Sequence, residues 1–147
     1  MPANEIRAII ARSVPVLRSF SSESAGNTPA SGVWSKKEIL GHLIDSAANN
    51  HQRIVRGAQN CASDFPTYSQ NRWVEIQKYN ETNWNELVDL FSIVNGHLCR
   101  VIDVLPPKVF SNPCNVGKEE PVTLEYLIAD YQRHLLYHLQ QILGVDG

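Results

Sequence analysis

The sequence predicts an all-α protein, a four-helix bundle with long loops between its helices. Three observations predict it. Four segments repeat apolar residues every three or four positions. Helix-capping residues open three of the four, and proline or glycine stops two of them. No segment alternates apolar and polar residues for a strand's length between hairpin turns. The 147 residues suit one domain, 1–147, around one core.

The first helix is expected over Ala3–Phe20, with Ile6, Ile9, Ile10, Val14 and Leu17 on one face. Pro15 should kink or shorten it, because proline lacks an amide hydrogen and crowds the preceding turn. The polar stretch "SSESAGNTPASGV" then reads as a loop.

The second helix has a distinct start. Ser35 and Glu38 in "SKKE" form a capping box, hydroxyl to the third amide and carboxylate back to the cap. The helix runs from Lys36 to about Asn60. Its inward face carries Ile39, His42, Leu43, Ser46, Asn50, Arg53 or Ile54, and Gly57. That face is unusually polar for a core stripe.

Residues 61–82 read as irregular, with room for a short helical turn around Trp73–Lys78. The third helix starts near Asn83, with Glu86 in capping-box position, and ends near Leu105 before Pro106 and Pro107. Its stripe is Trp84, Leu87, Leu90 or Phe91, Val94, Leu98, Val101 and Leu105. After a loop over 106–122, Thr123 caps the fourth helix and Gly144 ends it. Its stripe is Leu124, Leu127, Ile128, Tyr131, His134, Leu135, His138 and Ile142. The loops are longer than a plain up-and-down bundle needs. They permit a crossover connection and can cover a pocket.

Composition removes several functions. Net charge is -2 and the pI is near 6.2. A nucleic-acid partner needs a basic face to displace phosphate counterions, so none is expected. Cys61, Cys99 and Cys114 are widely spaced, without a CxxC pair. A disulfide framework is therefore not expected, and a reducing cytoplasm is. The N-terminal stretch lacks an unbroken apolar core, and no run of ~18 apolar residues exists to span a bilayer.

The functional signal lies in "YQRHLLYHLQQI". His134 and His138 stand four residues apart, one turn plus ~40°, so both rings share a helix face. The spacing alone fits core packing as well as metal binding. Both lie on the apolar stripe, where buried imidazoles need a hydrogen bond or an ion. His42 occupies the inward stripe of another helix, among Asp45, Ser46, Asn49 and Asn50. Three histidines from two helices, with open coordination positions, describe a reactive metal site rather than a closed structural one. His51 falls half a turn from the face of His42, and His97 lies about 100° off its stripe, so both read as surface or interface residues.

The stretch "WSKKEILGHLIDSAANNHQRIVR", residues 34–56, resembles the second helix of the DinB-like (DinB/YfiT) family. The matching features are Trp34-Ser35, the capping Glu38, the central His42 and Asp45-Ser46. "DYQRHLLYHLQQI" resembles that family's last helix, whose HxxxH supplies two more ligands. The resemblance implies a four-helix bundle holding a divalent metal, zinc or nickel above iron, on His42, His134 and His138. It also implies a metal-dependent thiol transferase or hydrolase acting on a small molecule, a low-molecular-weight thiol as a partner, and a homodimer. The other class of reading is a non-catalytic, dimeric metal- or ligand-binding bundle.

Asp45 and Tyr131 are the candidate catalytic side chains. Asp45 stands one turn after His42 and can accept an imidazole proton; a helix-internal bond is its plainer role. Tyr131's plainer role is core packing with its hydroxyl satisfied. Asn49 and Gln141 are the candidate supports of the metal ligands. One of Trp34, Trp73 and Trp84 is expected to wall the pocket, and the others to anchor loops and helix ends.

Overall fold

The computed structural model describes residues 2–59 and 63–144. Four long helices dominate: α1 (Asn4–Arg18), α3 (Lys36–Gln59), α5 (Trp84–Asp103) and α6 (Leu124–Leu143). Two short ones, α2 (Ser22–Ala25) and α4 (Gln70–Gln77), sit in the connections. Asn60, the expected end of the second helix, and Cys61 lie outside the described residues.

Each start has a local cause. Before α3, the Glu38 amide donates to Ser35 Oγ at 3.2 Å, and the Ser35 amide donates to the Glu38 carboxylate at 3.0 Å. Both halves of the expected capping box are made. Asn83 Oδ1 caps α5, accepting from the Asn85 and Glu86 amides. Thr123 Oγ1 caps α6, accepting from the Tyr126 amide at 3.1 Å, and Gly144 ends that helix with φ of 68°. Helix α1 continues three residues past Pro15 and stops at Arg18.

Three differences from the sequence-based expectation stand out. The polar loop after α1 holds the one-turn helix α2, because the Ser21 hydroxyl caps it. The short helical turn allowed around Trp73–Lys78 is the eight-residue α4, which starts earlier because Ser69 caps it, and a 3-10 turn over Tyr79–Glu81 follows. A small sheet also exists. Strands β1 (Ser63–Asp64) and β2 (Pro113–Asn115) pair in parallel, and β2 pairs antiparallel with β3 (Val122–Thr123). Strands of two or three residues are too short to show alternation in sequence.

The long helices pack in the cyclic order α1, α5, α3, α6, so α1 faces α3 across the bundle and α5 faces α6. The 19–35 and 104–123 connections therefore cross between diagonal positions, which explains their length. Trp84 is fully buried and its indole N–H donates to the Leu17 carbonyl at 2.6 Å. At the other end of the same helix pair, Asp103 takes an ion pair from Arg7 and a hydrogen bond from the Ala3 amide. These bonds fix α1 and α5 as antiparallel neighbours. Where α3 ends and α6 begins, Gly57 leaves room for Cys114 and Leu124, which would lie 3.0 and 3.3 Å from an added Cβ.

The segment 70–81 is fastened onto the first half of α3. Ser35 Oγ donates to Asn80 Oδ1 at 2.5 Å, and the buried Lys37 ammonium reaches the Asn80 carbonyl at 3.4 Å. Gly41 lets the Tyr79 ring lie directly on the helix, since a Cβ there would come within 2.1 Å of it. Gly41→Ala is therefore expected to destabilise the protein by about 1–3 kcal/mol through overpacking. Gly96, on the surface of α5, has nothing within 4 Å of such a Cβ. Gly96→Ala should leave stability unchanged or raise it by up to ~1 kcal/mol. Urea unfolding of both variants, read by helical circular dichroism, checks the contrast.

Candidate metal centre

The site begins as two helix faces. Helix α3 contributes His42, and α6 contributes His134 and His138 one turn apart. The antiparallel crossing brings the three together, with ring centroids 4.5 to 4.9 Å apart. Among the described residues they form the one group of three or more such side chains able to hold an ion together, one ligand atom from each within 4.8 Å of the others. His42 is fully buried; His134 and His138 are half-buried.

Ring orientation follows from the hydrogen bonds. His42 Nε2 and His134 Nε2 approach to 3.1 Å. Two ligands on one tetrahedral ion, each with a bond of ~2.0–2.1 Å, would stand about 3.3 Å apart. His138 Nδ1–H donates to Gln141 Oε1 at 2.8 Å, because a carbonyl oxygen can only accept. That bond leaves the His138 Nε2 lone pair free. His134 Nδ1 meets Ser46 Oγ at 3.4 Å. Bonds at the far nitrogen are the means by which proteins set the tautomer of a metal-binding imidazole.

Electrostatics agree with this use. Burial, and then the neighbouring imidazoles His134 and His138, lower the pKa of His42 to about 4. Burial and His138 lower that of His134 to about 4, against a smaller opposing pull from Asp130. Burial lowers His138 too, against its bond to Gln141. At neutral pH all three rings are uncharged and offer lone pairs, the form a metal requires.

Two buried polar atoms near the cluster have no hydrogen-bond partner among the described residues: His42 Nδ1 and Asp45 Oδ2. An orphaned buried polar atom costs about 1–3 kcal/mol. Such a cost at a site of convergent donors fits a centre kept for binding rather than for stability.

The remaining candidate residues divide. Asp45 is buried, but its Oδ1 accepts from Tyr79 Oη at 2.6 Å and Gln77 Nε2 at 2.8 Å, not from an imidazole. Burial raises its carboxyl pKa, opposed by those two bonds. Tyr131 lies in the core and its hydroxyl donates to Asn95 Oδ1, while Asn95 Nδ2 donates to the Phe91 carbonyl at 2.9 Å. Asn49 Nδ2 bonds back to the Asp45 carbonyl at 2.9 Å within α3, away from the imidazoles. Gln141 meets His138 directly. His51 is half-buried and His97 exposed; their rings face one another 5.2 Å apart, an α3–α5 pairing that sequence spacing did not reveal. Cys99 and Cys114 are buried thiols whose pKa burial pushes up, which keeps them protonated and unreactive.

Sequence reasoning missed Gln77 and Tyr79. Both lie in the stretch read as irregular, and nothing in their spacing points to Asp45. Of the three tryptophans, Trp34 walls the site, its ring 5.1 Å from that of His42. Beside it lies a cleft of about 570 Å³ bordered by Val33, Trp34, Ile39, Tyr137, His138 and Gln141. Its size suits a small molecule. A smaller cavity of about 110 Å³ opens at His134.

The family profile described as DinB superfamily matches residues 5–142 of the chain. No curated protein matches it by sequence. Among solved structures, YfiT from Bacillus subtilis, described as a probable metal-dependent hydrolase with an unusual four-helix bundle topology, superposes with a TM-score of 0.82 at 17% identity; the match covers 97% of this chain and 84% of YfiT. A mycothiol-dependent maleylpyruvate isomerase superposes with a TM-score of 0.78 at 13% identity; the match covers 98% of this chain and 60% of the isomerase. At these identities the likeness is one of fold. Among the described residues no helix is long and apolar enough to cross a membrane.

The lowered histidine pKa values give a pH dependence with a definite sign. In the unfolded chain these imidazoles take a proton near 6.5; in the folded protein His42 and His134 do so only near 4. The folded state thus binds fewer protons between those values. The metal-free protein should hold its full stability above pH 6.5 and lose on the order of a few kcal/mol as pH falls to 4. Urea midpoints across that window test this; a flat profile would contradict the burial argument.

Proposed function

This chain belongs to the DinB superfamily, and from that premise we propose that it is a metal-dependent enzyme of the thiol-transferase or hydrolase type acting on a small molecule. His42, His134 and His138 would hold a divalent ion, zinc or nickel first and iron also suited to the donor set. The observation that carries this reading is the convergence of neutral imidazoles, two Nε2 atoms at 3.1 Å, beside a cleft of ligand size. The two solved structures of like fold are described as a probable metal-dependent hydrolase and a mycothiol-dependent isomerase, which supports metal- and thiol-dependent chemistry of these kinds.

An ion on three neutral ligands keeps its full charge, and so favours the anionic form of water or of a thiol at neutral pH. The chain's own residues do the rest. Gln141 fixes the tautomer of His138, and Ser46 meets the far nitrogen of His134. Trp34, Val33 and Ile39 give the cleft an apolar wall that limits water. Asp45 acts through α3: joined to Tyr79 and Gln77, it positions the helix that carries His42. Tyr131 likewise acts by position, locking α6 to α5 through Asn95.

With the Asp45 carboxylate and the Tyr131 phenol so engaged, neither candidate is placed to act as a general acid or base, and this favours one other reading, a non-catalytic metal- or ligand-binding bundle. A homodimer belongs to the same proposal, supported by the exposed Leu90 and Ile93 on α5 and Val104 just past its end. So does a reducing, cytoplasmic setting, supported by the unpaired Cys99 and Cys114.

Metal analysis tests the centre directly. Protein purified without chelator should carry about one equivalent of divalent ion per chain, as a three-ligand site predicts. Less than about a tenth of an equivalent, also after incubation with zinc or nickel, would sink the reading. Gln141→Ala should weaken the metal by about tenfold or more, as loss of an imidazole's outer partner does, while Asn49→Ala should not. Turnover is then to be sought with thiols and electrophiles; a substrate turned over equally well by His138→Ala would make the centre non-catalytic.

A further inference from the structure

The imidazole cluster is reached from two sides, and the two sides differ in chemistry. The larger cleft meets His138 and has a mostly apolar wall. The smaller cavity, about 110 Å³, meets His134. Its lining includes Ser46, Arg53, Gln70, Asp130, Tyr131 and His134. One cation and one anion, from two different helices, thus border one small pocket.

Neither charge is tightly committed. The Arg53 guanidinium donates to the Pro66 carbonyl at 3.2 Å and, among the described residues, pairs with no carboxylate. Among the described residues Asp130 pairs with Arg133, three residues on, in a solvent-exposed pair at 3.2 Å, and it also acts through space on His134. Exposed pairs of this kind are worth little and exchange readily for a ligand. A small carboxylate entering this cavity meets Arg53 but also faces Asp130. A small amine has the reverse problem. A molecule bearing both charges close together satisfies both.

We propose that the cavity between Arg53 and Asp130 binds the zwitterionic end of a small α-amino acid, carboxylate to Arg53 and ammonium to Asp130, with its side chain directed past Tyr131 toward His134. This deepens the proposed function and rests on it only for the nature of that side chain. For a thiol-dependent enzyme the fitting ligand is cysteine or a cysteine-like aminothiol, with its reaction partner entering by the larger cleft.

The test uses the full chain, with metal and without it, and oxygen analogues that do not extract metal. Calorimetric titration compares L-serine with ethanolamine, which lacks the carboxylate, and with 3-hydroxypropionate, which lacks the ammonium. L-serine should bind at least about tenfold tighter than either, since each loses a hydrogen-bonded charge. Arg53→Gln should remove the preference over ethanolamine and keep that over 3-hydroxypropionate; Asp130→Asn should do the opposite. Equal affinity for the three ligands, or an Arg53→Gln variant of unchanged serine affinity, overturns the proposal. The ligand series on the unaltered chain stands whether or not a variant folds. Serine selectivity in protein that takes up no metal would sustain the amino-acid site while the metal centre fails; full metal loading without selectivity would do the reverse.

Discussion

Three uncharged imidazoles held at one point between α3 and α6 set the terms for the rest of the structure. Imidazoles in water would gain protons as pH falls and repel one another. Buried here, with two of their pKa values near 4, they stay neutral and keep their lone pairs. Burial demands close helix packing around a polar cluster, and such packing leaves polar atoms that the scaffold has to satisfy. It satisfies most of them: Ser46 and Gln141 serve two rings, while His42 Nδ1 is left without a partner among the described residues.

The position of His42 depends on elements distant in sequence. The 3-10 turn over Tyr79–Glu81 lies on α3 because Gly41 presents no Cβ to the Tyr79 ring. Tyr79 and Gln77 then share Asp45, one turn beyond His42, and Asn80 joins Ser35 and Lys37 at the helix start. His42 thereby stands on a helix braced by the segment 77–80. Sites carried by braced helices hold geometry better than sites carried by loops. The small sheet closes the opposite end of the bundle, where α3 finishes and α6 begins, so the two long loops cannot slide against the helices.

A fold shared with YfiT at 17% identity shows how little of the sequence a bundle of this kind requires. Helix cores accept many combinations of apolar side chains provided volume and pattern persist. Particular geometry is confined to a few residues of this chain, among them the inward imidazole of His42 and Gly41 under the Tyr79 ring. Chemistry can therefore change at the rim of the cluster while the bundle remains.

The four long helices, the caps that start three of them and the three candidate histidines were legible in the sequence. Capping boxes and apolar periodicity are local physics, readable from a few neighbouring residues, and Ser35–Glu38 and Thr123 behave as that physics requires. The helical face shared by His134 and His138 is equally local, the polar inward stripe of the second helix supplied His42, and family resemblance joined the three. The tertiary structure decided what local pattern cannot encode. It chose Ile54 for the core and placed Arg53 at a cavity mouth, where the sequence left either open. It turned Asp45 toward Tyr79 and Tyr131 toward Asn95, and it formed strands of two or three residues. Each of these depends on which segments meet after folding, over separations of dozens of residues, and periodicity along one helix carries no information about its partner.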